Sequence, residues 1–167
     1  NIRKKEKEGR GEIKKLDDFK IIKSIDEEIK DKKIDAEEDK EKIYKYIEIS
    51  AIDKERGFII KGEWEEAKRD ELPSRAKLLI KQNDLLFSMP FRSLKKVAIV
   101  PDELNGHLAS NGFYGIRPKD YKEACLLWAI FRSNLIQKQL YHLSSGYTQR
   151  GLSDEHLKEY LIIKEEI

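Results

Sequence analysis

Three cationic side chains lie within five residues of one another in the middle of the sequence. Arg92, Lys95 and Lys96 follow residues 84–88 and precede residues 97–100, and both of these segments have the apolar composition of short strands. The loop between them should therefore project from a sheet. Three cations in such a loop can neutralise phosphate groups. The alternative is a solvated turn without a ligand.

No set of residues has the spacing of a catalytic or metal site. The sequence lacks a phosphate-binding loop, a Gly-rich dinucleotide fingerprint and a Gly-x-Ser-x-Gly elbow. The three histidines lack the paired spacing of metal ligands, and a single cysteine cannot build a structural zinc site. Cys125 lies on an apolar helical face, where a buried, inert thiol is expected. We therefore predict a binding protein with no catalytic residue, no metal and no cofactor of its own.

The composition is typical of one soluble domain. The chain has 167 residues, of which 40% are charged and 39% are hydrophobic. No uninterrupted apolar run approaches the ~20 residues of a membrane helix, so a transmembrane protein is excluded. The N-terminus carries no apolar signal segment, and one cysteine cannot form an internal disulfide. We expect a cytoplasmic protein with no membrane partner.

The net charge of +2 hides an uneven distribution of charge along the chain. Residues 1–50 hold 15 basic and 15 acidic side chains, whereas residues 71–151 hold 12 basic and 6 acidic ones. A phosphate-binding protein needs positive charge on one face rather than a large total. The basic middle of the chain is therefore compatible with a nucleic-acid partner.

We divide the chain at residue 42. Residues 1–42 are dense in charge and offer few apolar side chains, so we expect a charged linker or a peripheral helical segment there. Within it, residues 26–42 have the composition of an exposed helix or a mobile loop. Residues 43–167 are expected to form a single domain. Because the chain opens on Asn1 rather than on a methionine, we expect it to be a piece of a longer polypeptide.

From residue 43 onward, the pattern predicts short strands and then helices. The strand segments are rich in β-branched and aromatic residues, and they are residues 43–50, 58–60, 77–80, 84–88, 97–100 and 112–117. Apolar residues then recur at helical spacing over residues 120–143, which indicates two helices with Ser133 as the N-cap of the second. Another helix is predicted from Ser153 over residues 157–163. Strands followed by helices point to an α+β fold.

Four segments, in order, resemble the target-recognition domain of type I restriction-modification DNA specificity subunits. The first is Tyr46-Ile47-Glu48-Ile49-Ser50-Ala51-Ile52-Asp53 with a turn at Gly57. The second is Leu72-Pro73-Ser74-Arg75-Ala76-Lys77 with Asn83-Asp84-Leu85-Leu86-Phe87-Ser88. The third is Lys96-Val97-Ala98-Ile99-Val100-Pro101 with Ala109-Ser110-Asn111-Gly112-Phe113. The fourth is Arg132-Ser133 and Gln137-Lys138-Gln139-Leu140 with the loop Ser145-Gly146-Tyr147-Thr148-Gln149, followed by Leu152-Ser153. The resemblance covers residues 43–163.

Two departures from the family pattern concern polar loop residues. Family members often carry an Arg-Pro pair shortly after the serine that matches Ser88, whereas this chain has Met89-Pro90-Phe91-Arg92. Where the family often has Ser-Thr-Gly-Phe, the chain has Ser110-Asn111-Gly112-Phe113. A complete specificity subunit is similar to two such domains joined by long helices, and this chain resembles one of them.

The resemblance implies a non-catalytic domain that binds double-stranded DNA at a specific site. It implies a curved, mostly antiparallel sheet of short strands with helices packed on it. The implied partners are methyltransferase and restriction subunits, and S-adenosylmethionine is expected in the adenine methyltransferase partner. One alternative is the C-terminal recognition domain of a fused adenine-N6 DNA methyltransferase or restriction-methylation enzyme. A protein-interaction or structural module without salt-dependent affinity for DNA is a third interpretation.

Within this interpretation, polar loop residues are the candidates for DNA contact. Lys and Arg neutralise phosphates, whereas Arg, Asn, Gln, Ser and Thr side chains reach base edges. The candidate DNA-binding residues are Arg92, Lys95, Lys96, Ser110, Asn111, Tyr147, Thr148, Gln149 and Arg150. For the loop of residues 146–151, a helix-packing turn that contacts a partner subunit is an alternative of equal weight.

Overall fold

The computed structural model describes residues 12–32, 36–144 and 151–165, which form twelve short strands and five α-helices. The strands are β1 (Glu12–Lys14), β2 (Lys20–Ile21), β3 (Ile43–Ile47), β4 (Ile52–Asp53), β5 (Phe58–Ile59), β6 (Glu65–Lys68), β7 (Ala76–Leu79), β8 (Leu85–Ser88), β9 (Val97–Ile99), β10 (Leu108–Ser110), β11 (Phe113–Arg117) and β12 (Ile163–Glu165). The helices are α1 (Ile25–Lys32), α2 (Ala36–Glu41), α3 (Tyr121–Arg132), α4 (Asn134–Leu143) and α5 (Asp154–Tyr160).

Eight of these strands form two four-stranded sheets. The order is β6-β3-β10-β7 in the first sheet and β2-β11-β8-β9 in the second, while β1-β12 and β4-β5 form separate pairs. Strands β3 and β10 run parallel. The other ladders among the described residues are antiparallel. The predicted α+β class, with mostly antiparallel sheets of short strands and packed helices, is therefore confirmed.

Strand β8 is largely apolar because both of its faces are buried. Leu85 and Phe87 face helices α3 and α4, and the ring of Phe87 lies 4.7 Å from that of Phe131. Leu86 belongs to a second apolar cluster, together with Ile47 of the other sheet. A strand that is covered on both sides needs a continuous apolar run rather than an alternating one. Burial of each such side chain stabilises the fold by roughly 1.5–3 kcal/mol.

Side-chain caps define where the helices begin. The hydroxyl of Ser133 accepts a hydrogen bond from the amide of Ile136 (3.4 Å), so the predicted N-cap of α4 is confirmed. Ser153 caps α5 in the same way through the amide of His156 (3.2 Å). The carboxylate of Asp120 caps α3. Within the described part of the chain, every helix is too short or too polar to serve as a membrane span.

The described part of residues 1–42, where a charged linker or a peripheral helical segment was expected, contains both strands and helices. Strand β1 pairs with β12, and β2 pairs with β11. These N-terminal strands therefore belong to the same sheets as strands from the C-terminal half of the chain. Leu16 is fully buried in the main core, and Ile25 is buried in a third apolar cluster. Two buried apolar side chains and the main-chain hydrogen bonds of the two strands are enough to hold this charged segment on the domain. Helices α1 and α2 lie where a peripheral helical segment was expected, and the domain boundary at residue 42 stays a prediction.

Candidate nucleic-acid interface

Three of the predicted loop segments meet at Met89, directly after strand β8. The amide of Met89 donates to the carbonyl of Gly112 (2.9 Å), and its carbonyl accepts from the amide of Leu152 (2.9 Å). Pro90 forms an antiparallel bridge with Gly151. Main-chain hydrogen bonds therefore bring together the loop after β8, the turn after β10 and the residues that precede α5.

The last residue of β8 fixes the loop of residues 91–96, which we call the cationic loop. Ser88 is fully buried, and its hydroxyl oxygen lies 2.6 Å from that of Ser93. The hydroxyl of Ser93 also contacts the carbonyl of Pro90 at 3.1 Å. Leu94 is buried in the main core. The cationic loop is therefore anchored to the core, while the side chains of Arg92 and Lys95 are exposed.

Helix α4 lies opposite the cationic loop and is joined to it by one side-chain amide. The amide nitrogen of Gln137 donates to the carbonyl of Leu94 (3.1 Å) and to that of Phe131 (2.8 Å). The ring of Phe91 lies 5.1 Å from that of Tyr141, one turn further along α4. These contacts set the distance between the loop and the helix.

The turn between β4 and β5 is a third element, and the end of α3 holds it. The Arg132 guanidinium donates to the carbonyls of Lys54 (3.2 Å) and Glu55 (2.7 Å). Arg132 also lies over the ring of Trp128, 4.9 Å from its centroid, and the indole nitrogen of Trp128 donates to the carbonyl of Gly57 (2.8 Å). These bonds fix the main chain of the turn, while the side chain of Lys54 is 60% exposed.

These three elements enclose a groove of about 570 Å³, which we call the basic groove. Its described lining contains no carboxylate and five cations, which are Lys54, Arg92, Lys95, Lys96 and Lys138. Cations on facing walls of a concave surface add their fields and attract polyanions. The predicted cationic loop is therefore one wall of a larger basic surface.

The three predicted cations of the loop do not have the same surroundings. Arg92 and Lys95 are exposed at the basic groove. Lys96 is half-buried, and its ammonium donates to the carbonyl of Ile49 (3.0 Å), which joins the cationic loop to the 3₁₀ turn Ile49–Ala51. Lys96 thus has a structural contact in addition to its place in the groove. Contact with DNA by the three residues stays a prediction.

Ser110 and Asn111 lie at the turn between β10 and β11, and neither lines the basic groove. Ser110 is only 4% exposed, and its hydroxyl accepts from the amide of Gly112 (3.2 Å). The side chain of Asn111 is exposed, and its main-chain amide donates to the carbonyl of Arg75 (2.9 Å). Ser110 therefore shapes the turn from inside, whereas Asn111 is accessible to a ligand. DNA contact by either residue stays a prediction.

The remaining predicted site residues, Tyr147, Thr148, Gln149 and Arg150, lie outside the described residues. Their proposed contacts stay predictions from the sequence. The chain is described again from Gly151, and the bridge between Gly151 and Pro90 lies directly beside the cationic loop.

Lys54 and Lys138 line the basic groove but were not identified from the sequence. Nothing in their spacing places them near residues 92–96, because the fold alone brings the three segments together. Their signal in the sequence is indirect. Lys138 follows Gln137 within a segment that resembles the family pattern, and Lys54 lies in the predicted turn before Gly57.

A second cavity, of about 610 Å³, lies between helices α1 and α2 and strand β3. Asp39 is buried there and accepts from the hydroxyl of Tyr44 (2.8 Å) and from the guanidinium of Arg69, which also pairs with Asp26 of α1. Burial, and then the hydrogen bond to Asp39, raises the pKa of Tyr44 well above its usual value, so the hydroxyl stays a donor. The lining of this cavity holds four carboxylates and three lysines, so the basic groove is the stronger candidate for an anionic ligand.

The described residues contain no group of three or more His, Cys, Asp and Glu side chains that could hold a metal ion. Cys125 is half-buried rather than fully buried. The expectation that the chain is not an enzyme stays a prediction.

Comparison with known proteins identifies the family. A family model described as the type I restriction modification DNA specificity domain matches residues 11–163. No curated protein matches the chain. Among solved structures, a chain from a study of complex assembly and conformational transition in the type I R-M system is 25% identical, with a TM-score of 0.71; the match covers 89% of this chain and 36% of that one. The HsdS subunit from Thermoanaerobacter tengcongensis is 24% identical, with a TM-score of 0.66, over 92% of this chain and 38% of its own.

These matches differ in what they cover. The chain spans little more than a third of the length of either solved chain. The likeness to the HsdS subunit supports the fold. The family model includes strands β1 and β2 and ends in β12, so it spans nearly all of the described residues. The chain therefore belongs to the family of type I restriction modification DNA specificity domains.

Proposed function

We propose that this domain binds double-stranded DNA at a specific sequence and directs a partner adenine methyltransferase and endonuclease to that site. The observation that carries the proposal is the basic groove, whose described lining holds five cations and no carboxylate. Membership of a DNA specificity family supports the same ligand.

The proposed contacts divide into two kinds. Phosphate contacts fix the position of a protein on the duplex, whereas contacts with base edges select the sequence. Arg92 and Lys95 are exposed, long and cationic, which suits phosphate. Asn111 and Gln149 carry amides that can pair bidentately with adenine. Lys96, Ser110, Tyr147, Thr148 and Arg150 remain candidates.

The chemistry is proposed to lie in partner subunits. S-adenosylmethionine would bind to the methyltransferase, and the restriction subunit would cleave the DNA. This domain would then contribute only recognition of the DNA site. The whole assembly would act in the cytoplasm, where its DNA lies. The structural likeness to a type I R-M chain supports such an assembly.

The alternative is a recognition domain fused behind a methyltransferase. The match to a type I specificity domain favours a separate specificity subunit. An Asn-Pro-Pro-aromatic motif upstream in the same reading frame would favour the fused enzyme instead.

Two variants in the assembled methyltransferase test the proposal. Lys95→Ala should weaken binding to all duplexes alike and lower the salt slope by roughly one unit, because it removes a phosphate contact. Gln149→Ala should relax specificity at one base pair and leave nonspecific affinity nearly intact, because its amide carries no charge. Methylation and binding are measured on single-base variants of the site at two salt concentrations.

The outcomes separate the roles. Equal losses on every sequence for Gln149→Ala would contradict base recognition by this residue. Loss of subunit assembly with unchanged base preference would assign its loop to a partner contact. A complete assembly with no salt-dependent affinity for duplex DNA would contradict the proposed function itself.

A further inference from the structure

Cations from three distant parts of the sequence converge on the basic groove. Lys54 comes from the turn between β4 and β5, Arg92 and Lys95 come from the cationic loop, and Lys138 comes from helix α4. The loop and the helix form facing walls, with the turn beside them. An anionic ligand that enters the groove would therefore contact cations on more than one side.

The charges of these residues are poorly neutralised within the protein. Arg69 and Arg117 each form close ion pairs with carboxylates. In contrast, no ion pair joins Arg92, Lys95 or Lys138 to a carboxylate in the part of the chain that the structure describes.

Lys54 has one acidic neighbour. Its ammonium lies 3.9 Å from the carboxylate of Glu55, which is 81% exposed. Such an exposed pair contributes little in water. The groove therefore keeps most of its positive charge for an external anion.

The walls of the groove are also held in place. Gln137 ties Leu94 of the cationic loop to α4, and Arg132 ties the main chain at Lys54 to α3. Both donors bond to main-chain carbonyls, so they fix the walls without using the cationic side chains. Binding of a ligand would then lose little conformational entropy, because the walls of the groove are already ordered.

We propose that the basic groove clamps the phosphate backbone of duplex DNA between its walls, and that Lys54 and Lys138 each neutralise a phosphate alongside the cationic loop. The inference rests on the proposed function, since it names residues through which the same domain holds its DNA. In this arrangement Gln137 and Arg132 are positioning residues, because they act on DNA only through the elements they hold.

The test uses the full chain and a fluorescent duplex of mixed sequence, with affinity measured over a series of salt concentrations. Loss of one phosphate contact lowers the slope of log affinity against log salt by about 0.9. We expect this reduction for Lys54→Ala and for Lys138→Ala, and about twice as much for the double variant. Lys122→Ala removes an exposed lysine of α3 outside the groove and should leave the slope unchanged. Thermal melts of all variants exclude unfolding as a cause.

The results distinguish failure of the clamp from failure of the proposed function. A wild-type chain without salt-dependent affinity for the duplex would overturn the proposed function together with the clamp. A wild-type chain that binds while the double variant keeps the full slope would overturn the clamp alone. A slope lowered by only one of the two lysines would also overturn it, since the second cation would then not reach the phosphates.

Discussion

The guanidinium of Arg117 meets the carboxylate of Asp84 through two parallel hydrogen bonds, from Nε to Oδ1 (2.9 Å) and from Nη2 to Oδ2 (2.8 Å). Asp84 is 1% exposed, and it also accepts from the amide of Lys81 (2.7 Å). Arg117 donates as well to the carbonyl of Leu79 at the end of β7 (3.2 Å). Since β7 and β11 belong to different sheets, the bond from Arg117 to Leu79 joins the two sheets at one end.

Removal of Arg117 should destabilise the domain strongly. Arg117→Ala leaves the Asp84 carboxylate buried without its partner, and loss of one member of a buried pair costs about 3–5 kcal/mol. The matched control is Arg75→Ala, which breaks an exposed pair with Glu48 and should cost less than about 1 kcal/mol. Urea unfolding measures both. Similar losses for the two variants would contradict the structural role of the buried pair.

The residue before Asp84 has a backbone conformation that predicts its tolerance to substitution. Asn83 has a φ of +71°, in the left-handed region that Asn and Gly enter most readily. Asn83→Gly should therefore change the free energy of unfolding by less than about 0.5 kcal/mol, whereas Asn83→Ala should cost about 1 kcal/mol. Chemical denaturation of both variants checks this. A more stable alanine variant would show that the turn relaxes to a different conformation.

Gly57 and Gly62 form a matched pair for testing the contact with Arg132. Both have a positive φ, but a Cβ at Gly57 would lie 2.7 Å from the Arg132 Cζ, whereas a Cβ at Gly62 would meet nothing within 4 Å. Gly62→Ala should cost about 1 kcal/mol from backbone strain alone. Gly57→Ala should cost more and should also weaken DNA binding, because it displaces Arg132 from the carbonyls of the turn at Lys54. Equal stability losses and unchanged affinity would contradict this role of Arg132.

The stability of the domain should depend on pH through His107. Burial, followed by the charges of Lys45 and Lys42, lowers the pKa of His107 below its usual value of about 6.5, despite the opposing charge of Glu66. The Nδ1 atom accepts from the amide of Lys45 (3.0 Å), which requires this nitrogen to be unprotonated. Below about pH 6.5 the unfolded chain binds a proton that the folded chain excludes. Stability should therefore be complete above this pH and fall as the pH decreases towards the lowered pKa.

His107→Asn isolates this effect, because its side-chain oxygen can accept the same hydrogen bond without titrating. We expect the stability difference between the wild type and this variant to be constant above about pH 7 and to shift against the wild type below about pH 6.5. Parallel curves over the whole range would show that His107 does not contribute.

The sequence predicted the elements whose pattern is local. The strands at β3, β7, β8, β9 and β11 and the helices at α3, α4 and α5 lie where apolar runs, helical spacing and capping residues indicated. Family resemblance was carried in part by Ser88, Arg132 and Gln137. The structure shows that each of these side chains holds a loop of the basic groove or the turn beside it.

Elements that lack an apolar pattern of their own were not predicted. Strand β6 has the sequence Glu-Glu-Ala-Lys, and it is a strand because β3 pairs with it at the sheet edge, where charged side chains face water. The helix expected over residues 157–163 ends at Tyr160, because Ile163 begins β12 and pairs there with Lys14 of β1. The sequence did not indicate Lys54 and Lys138 as site residues, because only the tertiary fold places them opposite residues 92–96.

The antiparallel ladder of β1 and β12 has a consequence for how such a domain can change. Glu12 lies opposite Glu165, so the chain enters and leaves this body of the protein at neighbouring points. If the residues between these two strands were replaced by another sequence, the new segment would need ends that lie as close together as Glu12 and Glu165 do. Parts of a longer chain on either side would then keep their distance from each other. The fold is therefore suited to transfer from one protein to another as a single unit.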